Sequence, residues 1–504
     1  MHLLSKSRLI AFRQCPKRLW LEVHRPELRE DSAGTLASFQ VGYQVGDVAR
    51  RIYDPQGNGT VIDVKTEGYD EAFAHSARLL ADSRQPVFEA GFRAGGALAF
   101  ADVMLPVSEN GQPAWRMVEV KSSTSIKDYH RDDIAVQAFI AQSAGVKLKA
   151  VALACIDSSW IYPGDKDYRG LLTETDLTAE TRARTDEVKT WVSEAQEVVA
   201  RTAEPEIAVG SHCHDPFECG FCNYCNLANP QPEYPIDWLP RLSPAKRAQL
   251  TEQGINDLRW VPDNLLNEMQ RLVKQHTLNN GVFFDAAGAA ADLAPHGFPA
   301  YFLDFETIQF AVPIWKGTRP YQQITFQFSL HTLVEPGRLS HKAFLDLSCD
   351  DPSESLARAL IAACGKSGPI FVYNASFEAA RIRELAERYP KIARSLLAIN
   401  ARVVDLLPIA RNRYYHASMR GSWSIKAVLP AAVPELNYEE LPGVKDGGMA
   451  MDAYCEAIRP DTTEERKGEI ERQLLAYCRL DTFAMVRLWQ FFNGSNEPVL
   501  KDAL

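Results

Sequence analysis

The stretch Phe298–Thr307, Phe-Pro-Ala-Tyr-Phe-Leu-Asp-Phe-Glu-Thr, constrains this chain more than any other. An apolar run of that kind predicts a buried strand, and alternation along a strand puts Asp304 and Glu306 on one face. Two carboxylates side by side repel. A cation between them offsets the repulsion, and a divalent metal held by oxygen ligands is the usual one. The alternative is an edge strand with a solvated polar face, so acids elsewhere in the chain must decide.

Downstream, Gln323–Val334 and Leu339–Leu347 read as extended runs, Ser353–Cys364 as helical, and Pro369–Tyr373 as a second buried strand. Three strands, a helix and a further strand is the order of an RNase H-like α/β fold. The second buried strand runs into Asn374-Ala375-Ser376-Phe377-Glu378, where Ser376 can cap a helix whose first turn holds Glu378. The helix dipole alone also favours an acid there. Glu464–Phe492 has long helical periodicity, with Leu474, Cys478, Leu480, Met485, Leu488 and Trp489 among its apolar positions. Tyr477 and Asp481, four apart, fall on one side of that helix. Thr318–His331 interleaves polar and aromatic residues on the expected neighbouring strand. Arg319, Gln323, Gln327 and His331 are candidates there for contact with a nucleic-acid strand, although edge-strand solubility explains most of them equally well. Ser422–Lys426 offers either stacking and phosphate contacts or a buried tryptophan beside a helix start.

The order Asp304-x-Glu306, Asn374-x-x-Phe377-Glu378, Tyr477-x-x-x-Asp481 resembles the three motifs of the DEDDy, DnaQ-like 3′–5′ exonucleases, over roughly the last 200 residues. The resemblance implies two-metal phosphodiester hydrolysis. Asp304, Glu306, Glu378 and Asp481 would hold Mg2+ or Mn2+, Tyr477 would orient the attacking water, and Asn374 and Gln323 would contact substrate. Glu378 departs from the family's aspartate by one methylene. Asp405, in Val403–Leu407, is read as supporting rather than ligating.

The first half carries a second set. Ser5–Glu22 reads as a helix, Val87–Leu105 as an extended run containing Asp102, and Trp115–Lys121 as another strand with Glu119 and Lys121 on one face. Asp102 and Glu119 could hold a magnesium, with Lys121 positioning or deprotonating a water, or the pair could be a cross-strand ion pair on a solvated face. A helix opening at Asp133–Gln137 and the apolar strand Ala150–Cys155 follow. Of ten cysteines, Cys213, Cys219, Cys222 and Cys225 cluster, and Cys15 stands far upstream. Cys15, Asp102, Glu119-Val-Lys121, Gln137 and the cysteine cluster, in that order, resemble the iron–sulfur branch of the RecB-like PD-(D/E)XK nucleases, which includes a CRISPR-associated exonuclease. This likeness spans about the first 230 residues. It implies a second nuclease site at Asp102, Glu119 and Lys121 with Gln137 toward substrate. It also implies a [4Fe-4S] cluster on Cys15, Cys213, Cys219 and Cys225, leaving Cys222 spare. Zinc on Cys213, Cys219, Cys222 and Cys225 is the alternative. Where many relatives place a histidine after a glycine, this chain has Gly46-Asp47.

Residues 1–232 are therefore expected as a PD-(D/E)XK nuclease-like domain with an iron–sulfur cluster. Residues 233–296 should form a helical linker resembling a degenerate helix-hairpin-helix, and 297–504 an RNase H-like exonuclease domain. Pro- and Asn-rich Asn226–Pro240 and the Ala/Gly-rich Asn279–Pro299 read as linkers. The pairing of the two halves resembles a bacterial domain-of-unknown-function family. A formal charge of −10 argues against a protein that coats DNA and points to a local groove for DNA or RNA. No apolar run approaches a membrane span, and Lys6, Arg8, Arg13, Lys17 and Arg18 interrupt the first twenty residues, so a cytoplasmic protein is expected. The competing class is a nucleic-acid-binding or scaffold protein whose N-terminal nuclease fold is inactive.

Overall fold

The computed structural model describes residues 2–228, 232–436 and 438–495. The chain is mixed α/β and divides into two compact units, Met1–Pro230 with Phe310–Gln322, and Gln231–Gln309 with Gln323–Leu504. No helix among the described residues is long and apolar enough to cross a membrane.

The first unit is built on seven strands: β1 (Leu4–Ser5), β2 (Thr60–Val61), β3 (Val87–Ala94), β4 (Ala97–Glu109), β5 (Gln112–Lys121), β6 (Leu148–Ile156) and β7 (Leu172–Asp176). Their order is β2-β3-β4-β5-β6-β7, with β1 alongside β4. The extended run Val87–Leu105 is two strands, not one. Gly95 and Gly96 both take positive φ, 61° and 82°, and make the tight turn of a hairpin. β5 and β6 are parallel, and the crossover between them is the helix Asp128–Ser143, whose Ile134, Val136, Ala138 and Ile140 pack into the core with Met117 and Leu153. The first helix also divides. Lys6–Gln14 and Pro16–His24 are separated by Cys15 in extended conformation, because Pro16 takes the first position of the second helix. Phe310–Gln322 belongs to this unit, where Thr318 O accepts from Tyr162 N at 2.9 Å and the Tyr321 hydroxyl donates to Ser122 O. The expected strand Thr318–His331 therefore begins only at Ile324, and Arg319 lies outside it.

The second unit holds β8 (Val282–Phe284), β9 (Ala300–Ile308), β10 (Ile324–Glu335), β11 (Arg338–Leu345), β12 (Ile370–Val372), β13 (Val403–Asp405) and β14 (Tyr414–His416). Five of them form a sheet of order β11-β10-β9-β12-β13. β9, β10 and β11 are antiparallel neighbours, and β12 and β13 run parallel to β9. β9 is central and covered on both faces. Tyr301, Leu303 and Phe305 pack with Leu356, Leu360 and Ile382 from the helices Ser353–Ala363 and Ala375–Arg388. The alternate positions face the long helix Glu464–Asn493: the Phe302 and Trp489 rings lie 6.2 Å apart, and Cys478 reaches Asp304. This alternation puts Asp304 and Glu306 beneath one helix. The helix starts at Thr463, whose side chain caps Arg466 N, and ends at Gly494 in the left-handed region.

The expected linker Asn279–Pro299 is folded. β8 pairs with β14, and the Ala-rich run forms the helix Ala286–Leu293, capped by Asp285 and tied through Asp285 and Asp292 to Arg413. Residues 236–266 enclose their own small core of Ile236, Leu239, Leu250, Leu258 and Val261.

Candidate functional site

In the second unit Asp304 and Glu306 come from β9, and Tyr477, Cys478 and Asp481 from the helix over it. Among the described residues, Asp304, Glu306 and Cys478 form the one group of three donor atoms mutually within 4.8 Å. Glu306, Tyr477, Cys478 and Asp481 are buried, while Asp304 is partly exposed. The Cys478 thiol donates to Asp304 Oδ2 at 3.7 Å. Glu378, in the first turn of Ala375–Arg388, is buried, and its Oε2 has no hydrogen-bond partner.

The electrostatics are those of acids crowded without enough cations. Burial pushes the Asp304 carboxyl well up, helped by the nearby Asp481, Glu306 and Glu378. Burial raises Glu306 from its ordinary 4.5 to about 8, with Asp481 adding and Lys426 opposing. Glu378 likewise rises from 4.5 to about 8, chiefly by burial. Asp481 rises from 3.8 to about 6 by burial, and hydrogen bonds from Tyr438 and Tyr477, together with Lys426, keep it from rising further. Desolvation and like charge both favour the neutral carboxyl, and both act here in that direction.

Two of the groups around this site carry no motif or were read only loosely from sequence. Tyr438 donates to Asp481 Oδ1 at 2.6 Å from a short turn with no motif around it. Lys426 lies 5.5 Å from the ring centres of both Tyr438 and Tyr477, and donates to Lys445 O at 2.9 Å. For Trp423 the buried alternative holds: its indole N–H donates to Tyr414 O at 2.8 Å.

Asp405 acts as a backbone clamp. Its Oδ1 accepts from Asn374 N and Leu407 N, at 3.0 and 2.9 Å, and its Oδ2 from Ala375 N at 3.0 Å. Asn374, at φ 76°, occupies the cap position, so Ser376 does not cap the helix but donates to Asn374 Oδ1. Asn374 also lines an open cavity of about 1000 Å3 with Arg241, Arg411, Asn412 and Trp423. Gln327 and His331 are corrected outright. β10 is an interior strand, and there Gln327 donates to Leu474 O while His331 bonds Thr482 Oγ1, both fully buried. Gln323 precedes β10, half-buried.

In the first unit β4 and β5 bring Asp102, Glu119 and Lys121 together, Val103 pairing with Val118 so that Asp102 and Glu119 follow as facing positions. Lys121 Nζ lies 2.8 Å from Glu119 Oε1 and also bonds Asp133. A second lysine joins them that no sequence pattern marks: Lys6 Nζ lies 2.7 Å from Glu119 Oε1 and 3.3 Å from Asp133 Oδ2. The only sequence signal for Asp133 was an acid beside the apolar Ile134-Ala135-Val136. Burial works against ionised Glu119, but Lys121 and Lys6 outweigh it and hold its carboxyl well below the usual range. Asp102 goes the other way, raised by burial and then by Glu119, although its Oδ2 accepts from Val120 N at 2.7 Å. Gln137 is fully buried, its amide donating to Phe100 O at 2.6 Å, and faces no open groove.

Cys15, Cys213, Cys219, Cys222 and Cys225 line one pocket with Lys17, Arg18 and His212. Gln14 ties the first helix to this loop, donating to His212 O and Phe217 O at 2.7 and 2.6 Å. The Cys222 thiol is directed at Cys213 O, 3.7 Å away, and burial pushes it up to about 12.

A family model described as Domain of unknown function (DUF2779) matches residues 301–424, a span that includes Asp304, Glu306, Asn374, Glu378 and Asp405. No curated protein matches the chain.

Proposed function

We propose that the chain is a metal-dependent nuclease whose second unit hydrolyses phosphodiester bonds as a 3′–5′ exonuclease of the DEDDy type. The observation that carries this reading is the convergence of Asp304 and Glu306 on β9 with Asp481 on the helix over it, and with Glu378 close enough to raise Asp304. The sheet order β11-β10-β9-β12-β13, with the acids on its central strand, supports an RNase H-like fold. The unpartnered, buried Glu378 Oε2 and the raised carboxyls fit Mg2+ or Mn2+ held by Asp304, Glu306, Glu378 and Asp481. Bound there, such cations supply Lewis-acid stabilisation of the phosphoryl oxygens and lower the pKa of water. The chain's own residues do the positioning. Tyr477 presents a hydroxyl beside Asp481, Tyr438 fixes the Asp481 carboxylate, and Lys426 adds positive charge where negative charge accumulates in the transition state.

For the first unit the reading is a RecB-like PD-(D/E)XK fold with an iron–sulfur cluster. Cys15 lines the same pocket as Cys213, Cys219, Cys222 and Cys225, a proximity that the cluster reading needs and the zinc alternative on the four downstream cysteines does not. A specific observation also favours the quieter version of this half, one that grips nucleic acid without cutting it. Lys6 and Lys121 both sit on Glu119, where a cation would otherwise be needed.

The experiment is digestion of end-labelled single- and double-stranded DNA and RNA by anaerobically purified protein with Mg2+ or Mn2+. Asp304→Ala should abolish degradation. Lys121→Ala should reduce it only if the first unit cuts. If neither substitution changes degradation by an active preparation, the two-site reading is wrong. A visible absorption band lost in Cys15→Ser supports the cluster, and a colourless zinc-loaded protein overturns it.

A further inference from the structure

The residue in the acidic site that no metal-dependent hydrolysis requires is Cys478. It is fully buried one turn from Asp481, its thiol is 3.7 Å from Asp304 Oδ2, and its sulfur stands within 4.8 Å of donor oxygens of both Asp304 and Glu306. A cysteine on this stripe of the helix could serve simply as a small apolar residue, as its neighbours Leu474 and Met485 do. The donor geometry separates it from them. Two carboxylate oxygens and one sulfur, close enough for one ion to reach with small adjustments, form a mixed hard–soft donor set, and thiolate ligation selects zinc-like cations over magnesium. A second, independent observation beside these donors is Glu378, 3% exposed, whose Oε2 has no partner and whose charge acts on Asp304.

We infer that Asp304, Glu306 and Cys478 form a binding site for a thiophilic divalent cation, zinc or cadmium, which competes with the hard catalytic ion and switches the site off. The inference rests on the exonuclease reading for its regulatory meaning, but not for the binding itself. On binding, the Cys478 S–H bond breaks, a sulfur–metal bond forms and one proton passes to solvent. The two carboxylates remain the oxygen ligands. A magnesium or manganese ion gains nothing from the sulfur, so it uses the same carboxylates without it. A zinc ion gains a ligand that the hard ion cannot use, and occupies Asp304 and Glu306 in a geometry set by the thiolate. The site is therefore inhibited by the soft cation at concentrations well below those of the activating ion.

The test is competition at the metal, read without turnover. The full chain is titrated with Mn2+, bound ion being measured from the loss of the free-ion electron paramagnetic resonance signal, and is then back-titrated with Cd2+ or Zn2+. In Cys478→Ser the Mn2+ affinity should stay within about threefold of the unsubstituted protein, while the soft cation needed to displace Mn2+ should rise by about tenfold or more. Cys478→Ala, small and apolar, is the second variant should serine disturb packing. The ultraviolet cadmium–thiolate absorption should fall by one site's contribution in both. Displacement curves and absorption that coincide with those of the unsubstituted protein overturn the inference. Asp304→Asn distinguishes this outcome from failure of the exonuclease reading. If the unsubstituted protein binds no Mn2+ that Asp304→Asn removes, the hard-metal reading fails, and the Cys478-dependent cadmium absorption still decides the soft site.

Discussion

Glu306→Gln should make the metal-free protein more stable, and the gain should depend on pH. In the fold Glu306 titrates at about 8 rather than 4.5. A carboxyl with a raised pKa keeps its proton in the native state after the unfolded chain has released it. The unfolded state then binds fewer protons, and stability falls as pH rises from about 4.5 to about 8. Each pH unit separating the folded from the unfolded pKa is worth about 1.4 kcal/mol, so Glu306 alone costs the metal-free fold about 4 kcal/mol at pH 8 and under about 1 kcal/mol at pH 5. Glutamine has nothing to ionise and removes that cost. The loss is large against a usual total of about 5–15 kcal/mol, which is why a bound divalent cation should restore stability to the unsubstituted protein at pH 8 but not to the variant. Chemical denaturation with chelator and with Mn2+, at pH 5 and pH 8, measures all four values. A Glu306→Gln gain equal at the two pH values, or a variant still stabilised by Mn2+ as strongly as its parent, refutes the reasoning.

Other consequences follow from single contacts. Tyr438→Phe removes a 2.6 Å hydrogen bond to the Asp481 carboxylate, so in the metal-free protein Asp481 should titrate about one pH unit above its present value of about 6, which carbon-detected NMR of the carboxyl group reads directly. An unmoved titration means that Asp481 is positioned by something else. Asp405→Ala leaves three backbone N–H groups, of Asn374, Ala375 and Leu407, without their acceptor. It should lower stability by about 2–4 kcal/mol while leaving Mn2+ binding measurable, because both Asp405 oxygens are taken up by backbone N–H groups at the entry to the helix. Loss of Mn2+ binding at full stability would make Asp405 a ligand.

What the sequence conveyed was periodicity. The period-2 alternation of β9 and the helical spacing of Tyr477, Cys478 and Asp481 place their side chains whatever the rest of the chain does, so the acids were legible. Contacts closed by segments without periodicity were not. Tyr438 lies in a short turn and Lys6 follows a helix cap, and each meets its partner across more than forty residues of sequence. Nothing local marks such a residue. The errors had local physical causes. Two glycines at positive φ split Val87–Leu105, Pro16 split the first helix, and Phe310–Gln322 was spent in the first unit before β10 began. Gln327 and His331 were misread because a polar residue on an interior strand looks the same in sequence as one on an edge.

The two acidic sites are opposite in their charge balance, and that difference can be inverted. In the second unit burial raises the carboxyls of Asp304, Glu306, Glu378 and Asp481, like charge adds to it at Asp304 and Glu306, and Lys426 opposes it at Glu306 and Asp481. In the first unit Lys6 and Lys121 sit among Asp102, Glu119 and Asp133, and Glu119 is held low. A depressed carboxyl contributes stability above its unfolded pKa and loses it as pH falls, so the first site should weaken in acid where the second weakens in alkali. Lys6→Ala removes half of the built-in counter-charge beside Glu119, which is 2% exposed. Lys121 stays on Glu119 and Asp133, so the buried acids are left partly compensated, and the loss at pH 7 should be up to about 3 kcal/mol. A divalent cation can then take the place of the missing ammonium. Made in the Glu306→Gln background, where the second site no longer gains from metal, Lys6→Ala should acquire a Mn2+-dependent rise in thermal stability that its parent lacks. If Mn2+ leaves that double variant unchanged, Lys6 does not stand where a cation would, and the case for a first unit that grips without cutting loses its footing.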